Sequence, residues 1–320
     1  MDNDILMTIL KVVVVLLVFS ALAGFTTYIE RKVLAFMQRR LGPVHVGPFG
    51  LLQIAADGIK LFTKEDFVPQ NANRIIFMVA PIITAATAFI AMSAVPFIPG
   101  VIISDVNVGI LFVLGVMATG LYGPLLAGMA QANKWGLLGG ARTAIQLLSY
   151  EVVTGLSILA PIMMIGSLSL IDINNYQAGG IQNWLIWTQP IAFFLFLIAG
   201  FAETNRTPFD LLEHEAEVVS GYATEYSGMR WGMFFIGEYA NLFTISFLVA
   251  LIFLGGFNDL GFIPGAIAIL LKVMFLIFVF LWTRASWPHV RPDQLMWLCW
   301  KVLMPIGLLN IVITGIVMMV

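Results

Sequence analysis

"QPIAFFLFLIAGFA" at positions 189–202 runs directly into "ETNRTPFDLLEHEAE" at 203–217. The first piece carries no charged side chain and is apolar enough to lie in lipid. The second gathers Glu203, Asp210, Glu213, Glu215 and Glu217 against one strong base, Arg206. In lipid every backbone polar group must be satisfied internally, so the apolar piece reads as a membrane helix. The acids then read as a loop delivered to one bilayer surface.

The rest of the chain follows this pattern. Its 320 residues are 60% hydrophobic and only 11% charged, with a mean hydropathy of +0.96. Soluble domains carry about 25% charged residues, so that class is excluded. Eight segments approach the roughly 20 residues that a span needs: about 5–29, 75–98, 108–132, 144–166, 184–202, 233–254, 263–283 and 297–319. The first lacks a basic leader region and a small-residue cleavage site, so it is expected to stay attached. The expected fold is an all-α polytopic membrane protein of about eight transmembrane helices, forming one integral membrane domain over 1–320.

Eight spans leave four loops on one side, near 30–74, 133–143, 203–232 and 284–296. Those loops and their borders hold 14 of the 16 Lys and Arg residues. The positive-inside bias makes that side cytoplasmic and puts both termini on the other. The first of these loops is long for a compact protein, which favours a functional role. Within it, "LLQIAADGIKLFTKED" places Leu51, Leu52, Ala55, Ile59 and Phe62 on one helical stripe. Gln53, Asp57, Lys60 and Lys64 fall on another. This is an amphipathic helix expected to lie at the membrane surface, its polar stripe suited to line the entrance to a site for a lipid-soluble ligand.

Among the ionisable residues inside apolar segments are Glu151 in "LLSYEVVTG", Glu238 in "FFIGEYANLF" and Lys272. Each is costly in lipid and implies either a partner or a proton relay. For Lys272 the plain alternative is an ion pair with one of the glutamates. For the loop acids it is a solvated charged face. Against that, Asp210, Glu213 and Glu217 share one helical face with a single base nearby, so their protons should come off as coupled steps. Glu151 is expected to be buried with a polar partner.

One Cys excludes a Cys-ligated iron–sulfur cluster within the chain, and the three His, all in loops, leave no transmembrane haem ligands. "HEAEV" lacks the second histidine of a zinc-protease motif.

Five long motifs, "ERKVLAFMQRRLGP", "LLQIAADGIKLFTKEDFVP", "GLLGGARTAIQLLSYE", "AETNRTPFDLLEHEAEVVSGYATEYSGMRWGMFFIGEY" and "RPDQLMWLCWKVLMP", together resemble the H-type membrane subunit of NADH–quinone oxidoreductase, respiratory complex I. The resemblance implies a core membrane subunit of a bacterial inner-membrane enzyme. It would form part of the quinone chamber and an acidic path coupling quinone reduction to proton translocation. Quinone, ubiquinone or menaquinone, would be its substrate. NADH, flavin and iron–sulfur clusters would reside in partner subunits, one of which carries the terminal cluster. Lipid would surround it, and no nucleic acid is implied. The acids at 213, 215 and 217, with Glu203, Glu225, Glu151 and Glu238, resemble the family's acidic funnel. Glu30, Arg31, Arg40, Gln53, Asp57 and Lys60 match motifs flanking the quinone entrance. Arg206, Phe209 and Asp210 match the segment facing the chamber. Two rival readings are the homologous membrane subunit of an energy-converting hydrogenase and a standalone proton-coupled transporter.

Overall fold

A computed structural model of the chain describes residues 2–97, 104, 106–211, 219–259 and 263–319. Glu213, His214, Glu215 and Glu217 lie outside the described residues. Among those described there are helices and no strands. In chain order they are α1 (Asp2–Met37), α2 (Gln53–Thr63), α3 (Arg74–Ser93), α4 (Gly109–Gly120), α5 (Tyr122–Ala130), α6 (Lys134–Ile165) and α7 (Leu170–Tyr176). They continue with α8 (Leu185–Thr188), α9 (Pro190–Glu203), α10 (Gly228–Phe253), α11 (Gly265–Ser286), α12 (Pro292–Leu298) and α13 (Met304–Met319).

Among the described residues six stretches are long and apolar enough to cross a membrane by length and composition: α3, α4 with α5, α6, α10, α11, and α12 through α13. Two departures from the expected spans bear on the site. The first span does not stop near residue 29. With no helix breaker before Gly42, α1 runs on to Met37 and carries Glu30, Arg31 and Lys32 on regular helical turns. The fifth is broken at Gln189, because the residue before a proline is pushed out of the helical region. That leaves α9 only 14 residues, about 21 Å at 1.5 Å per residue and short of a full span.

α10 is the hub. In its most apolar window 83% of residues are buried, against 22% in the last span, whose Val312, Ile313, Ile316 and Val317 face outward. Small residues let neighbours close on it, as in other membrane helix pairs. A side chain at Gly237 would stand 2.9 Å from Thr84 of α3, and one at Gly200 of α9 would stand 2.7 Å from Ile245.

Prolines in the spans free backbone carbonyls that must be met elsewhere. Pro81 in α3 has no N–H for the carbonyl of Phe77, and the Tyr226 hydroxyl donates to that carbonyl at 3.1 Å. The two rings stack at 4.0 Å. The loop before α10 is thereby fastened to α3, helped by an Arg230–Asp66 ion pair at 3.0 Å. In the last span Pro305 follows a π-helical turn at Cys299–Leu303 that absorbs the same defect.

Lys272 makes no ion pair with a glutamate among the described residues. It donates to the Gly256 carbonyl at 2.8 Å and lies 4.5 Å from the Trp184 ring centroid, in the first half of α11. Neutral partners stand where the alternative reading put a glutamate.

Candidate functional site

α2 packs across the lower half of α1 and the start of α10. Its apolar stripe turns outward, with Ile59 65% and Phe62 73% exposed, as a helix embedded in an interface requires. Of its polar stripe, Gln53 and Asp57 turn toward α1 while Lys60 and Lys64 stay exposed. Arg31 Nη1 reaches Asp57 Oδ2 at 2.6 Å, Gln53 Nε2 donates to Asp57 Oδ1 at 3.0 Å, and Lys60 Nζ lies 3.8 Å from the same oxygen. Such partly exposed pairs add about 1 kcal/mol or less to stability. What they do here is fix a polar rim.

Behind this rim lies a cavity of about 270 Å³. Arg31, Asp57 and Lys60 are the charged residues of its lining, while Ile54, Trp231 and Phe235 give it apolar and aromatic walls. Tyr239 lines it as well. The Tyr239 hydroxyl donates to Glu30 Oε2 at 2.7 Å. Glu30 is 4% exposed and also accepts from Arg206 Nη1, at 3.0 and 3.1 Å, and from Arg284. The Arg206 guanidinium lies over the Tyr239 ring, 4.3 Å from its centroid. Burial works against the charge on Arg206, but Tyr239, Glu30 and Glu238 outweigh it and raise its pKa, so it stays protonated. Among the described residues its Nε and Nη2 have no hydrogen-bond partner. Two charged donors are therefore unspent beside Tyr239, which lines the cavity.

The carboxylates fall into three places. Glu238, half-buried in α10, accepts from the Tyr222 hydroxyl at 3.2 Å and is felt electrostatically by Arg206. Glu203 ends α9, is 8% exposed, and shares a second cavity of about 290 Å³ with Glu151. Gln146 holds that end of α9 to α6, donating to the Ala202 carbonyl at 2.6 Å and to Asn205 at 3.0 Å. Glu225 accepts from Asn133 at 2.9 Å in the loops.

Several expectations change. Glu151 is exposed on the outer face of α6, not buried, because α4 leaves the cavity beside it open. Arg40 sits on an exposed turn against Gln38 at 2.7 Å, away from the cavity lining. Glu30 is no rim residue but the centre of the buried ionic cluster. Phe209 is buried against Tyr150, with ring centroids 5.3 Å apart, and Asp210 beside it is half-buried. Sequence reasoning does not single out Tyr239, Arg284 or Tyr222. Tyr239 follows Glu238 directly, and a hydroxyl there is the one available hint.

The family model described as NADH dehydrogenase matches residues 10–315. A protein from a Nitratiruptor species, named as the H subunit of an NADH-quinone oxidoreductase, is 77% identical over 98% of each chain. Proteins of the same name from Wolinella succinogenes and Sulfurimonas denitrificans are 73% and 67% identical, over 99% and 98% of each chain. Matched along nearly its whole length by that model and by these relatives, the chain belongs to the NADH dehydrogenase family of membrane subunits.

Proposed function

We propose that this chain is a core membrane subunit of a proton-pumping NADH–quinone oxidoreductase in a bacterial inner membrane. In this reading it forms part of the quinone chamber and couples quinone reduction to proton movement. The observation that carries this is the cavity itself. It has a polar rim beside an amphipathic helix, apolar walls, and in its lining Tyr239, which touches the Glu30–Arg206 cluster.

The chemistry fits that shape. A quinone slides in from lipid with its tail against apolar walls. Partner subunits bearing iron–sulfur clusters supply two electrons, and the reduced headgroup must take up two protons. New negative charge near Arg206 would draw on its two unspent donors and loosen its hold on Glu30. Glu238, within the same field, would then change its proton affinity. Glu203 and Glu151, with the 213–217 acids, would continue the path. Glu151 exposed midway along a membrane helix is costly against lipid, so a partner membrane subunit is expected to cover that face.

Lys60→Met tests the rim. In assembled enzyme it should slow NADH–quinone turnover and leave electron transfer from NADH to a water-soluble acceptor unchanged. Equal loss of both activities would remove the rim from quinone access.

A further inference from the structure

A second opening lies among the loops that carry the basic residues. It is an open groove of about 520 Å³ whose lining includes Gln131, Asn133, Lys134 and Glu225. It shares no lining residue with the quinone cavity. Gln131 is 2% exposed, and its Nε2 donates to the backbone carbonyl of Tyr222. Among the described residues its Oε1 has no hydrogen-bond partner. Gly136 leaves that oxygen room, since a side-chain carbon there would stand 2.6 Å from it. A buried amide oxygen in a roomy polar setting is ordinarily met by ordered water.

Tyr222 links this groove to the membrane interior. Its carbonyl is bonded at the groove wall, and its hydroxyl donates to Glu238 Oε1 at 3.2 Å. One buried tyrosine therefore separates the groove from the carboxylate. Three residues further along α10, on the same face as Glu238, Asn241 is 8% exposed and its Oδ1 also has no partner among the described residues. Two such buried amide oxygens lie near Glu238, one through Tyr222 and one along α10.

We propose that this groove is the mouth of a water-filled proton inlet to Glu238, separate from the quinone cavity, with Gln131 and Asn241 holding its waters. The inference rests on the coupling reading above. A proton moves by breaking an O–H bond on one water as another forms on the next, and the last transfer protonates the Glu238 carboxylate. Glu238 is then the point where solution protons, arriving past Tyr222, meet the charge that Arg206 relays from the cavity.

The test uses the assembled enzyme in native membrane vesicles, comparing Gln131→Leu, Gly136→Ala, Gln131→Asn and Glu238→Gln. Gln131→Leu should lower the maximal NADH–quinone rate and proton pumping together, with the KM for quinone and electron transfer to a water-soluble acceptor unchanged. Gly136→Ala, whose methyl would stand 2.6 Å from Gln131 Oε1 and so displace the amide from its place, should do the same to a smaller degree. Gln131→Asn, which keeps the amide and leaves more room, should recover both. If Gln131→Leu does not assemble, Gly136→Ala decides alone. Wild-type pumping in the first two variants beside impaired Glu238→Gln would overturn the inlet, as would a raised KM for quinone. Wild-type pumping in Glu238→Gln as well would instead overturn the coupling reading.

Discussion

At Glu30, two guanidinium groups and a phenol converge on a carboxylate that is 4% exposed. Removing one member of a buried ion pair costs about 3–5 kcal/mol, mostly because the other is left charged and unpaired. Glu30→Gln should therefore destabilise the assembled enzyme by about that amount, by taking from Arg206 and Arg284 the carboxylate they share. Arg284→Gln added to it should recover part of the loss, because it removes one of the two repelling cations. Thermal stability of the purified wild type, both single variants and the double variant reads this interaction directly. Strictly additive losses would mean that the two arginines do not share Glu30.

Among the elements, α3 and the loop before α10 show how a defect becomes a fastening. Pro81 frees the Phe77 carbonyl, and Tyr226 reaches across to meet it. Tyr226→Phe leaves a buried carbonyl unmet and should cost about 1–3 kcal/mol. In a Pro81→Ala background the helix N–H satisfies that carbonyl, so the same Tyr226→Phe change should cost much less. An undiminished cost in that background would mean that ring stacking alone holds the loop. This fastening is not legible in the sequence. A proline in a span announces a missing hydrogen bond, yet nothing near it names a partner 149 positions away. The α2 helix is legible, because its two stripes and the Asp57–Lys60 spacing are local facts. The break at Gln189 is also present in the sequence as Gln-Pro, but strong hydropathy on both sides masks it.

In the whole molecule, hydropathy and the placement of Lys and Arg outline the membrane fold without any tertiary information. The site is legible in pieces only. Asp57, Lys60, Arg206 and Glu238 stand out as charges in unusual surroundings. Tyr239 and Arg284 do not, since their importance comes from meeting Glu30 across sequence separations of 209 and 254 residues. Glu151 shows the converse. A carboxylate inside an apolar run suggests burial within its own chain, whereas here it faces outward beside an open cavity. Its cover must come from the rest of the enzyme. The central claim is that quinone occupies the cavity between the Arg31–Asp57–Lys60 rim and Tyr239. The most direct measurement is photolabelling of the assembled enzyme in its membrane with a quinone bearing a photoreactive group on the ring, followed by mapping of the modified residues. Quinone in that cavity should place label on Trp231, Phe235 or Tyr239, displaced by excess unlabelled quinone. Displaceable label confined to other faces of this chain, or to partner subunits alone, would contradict it.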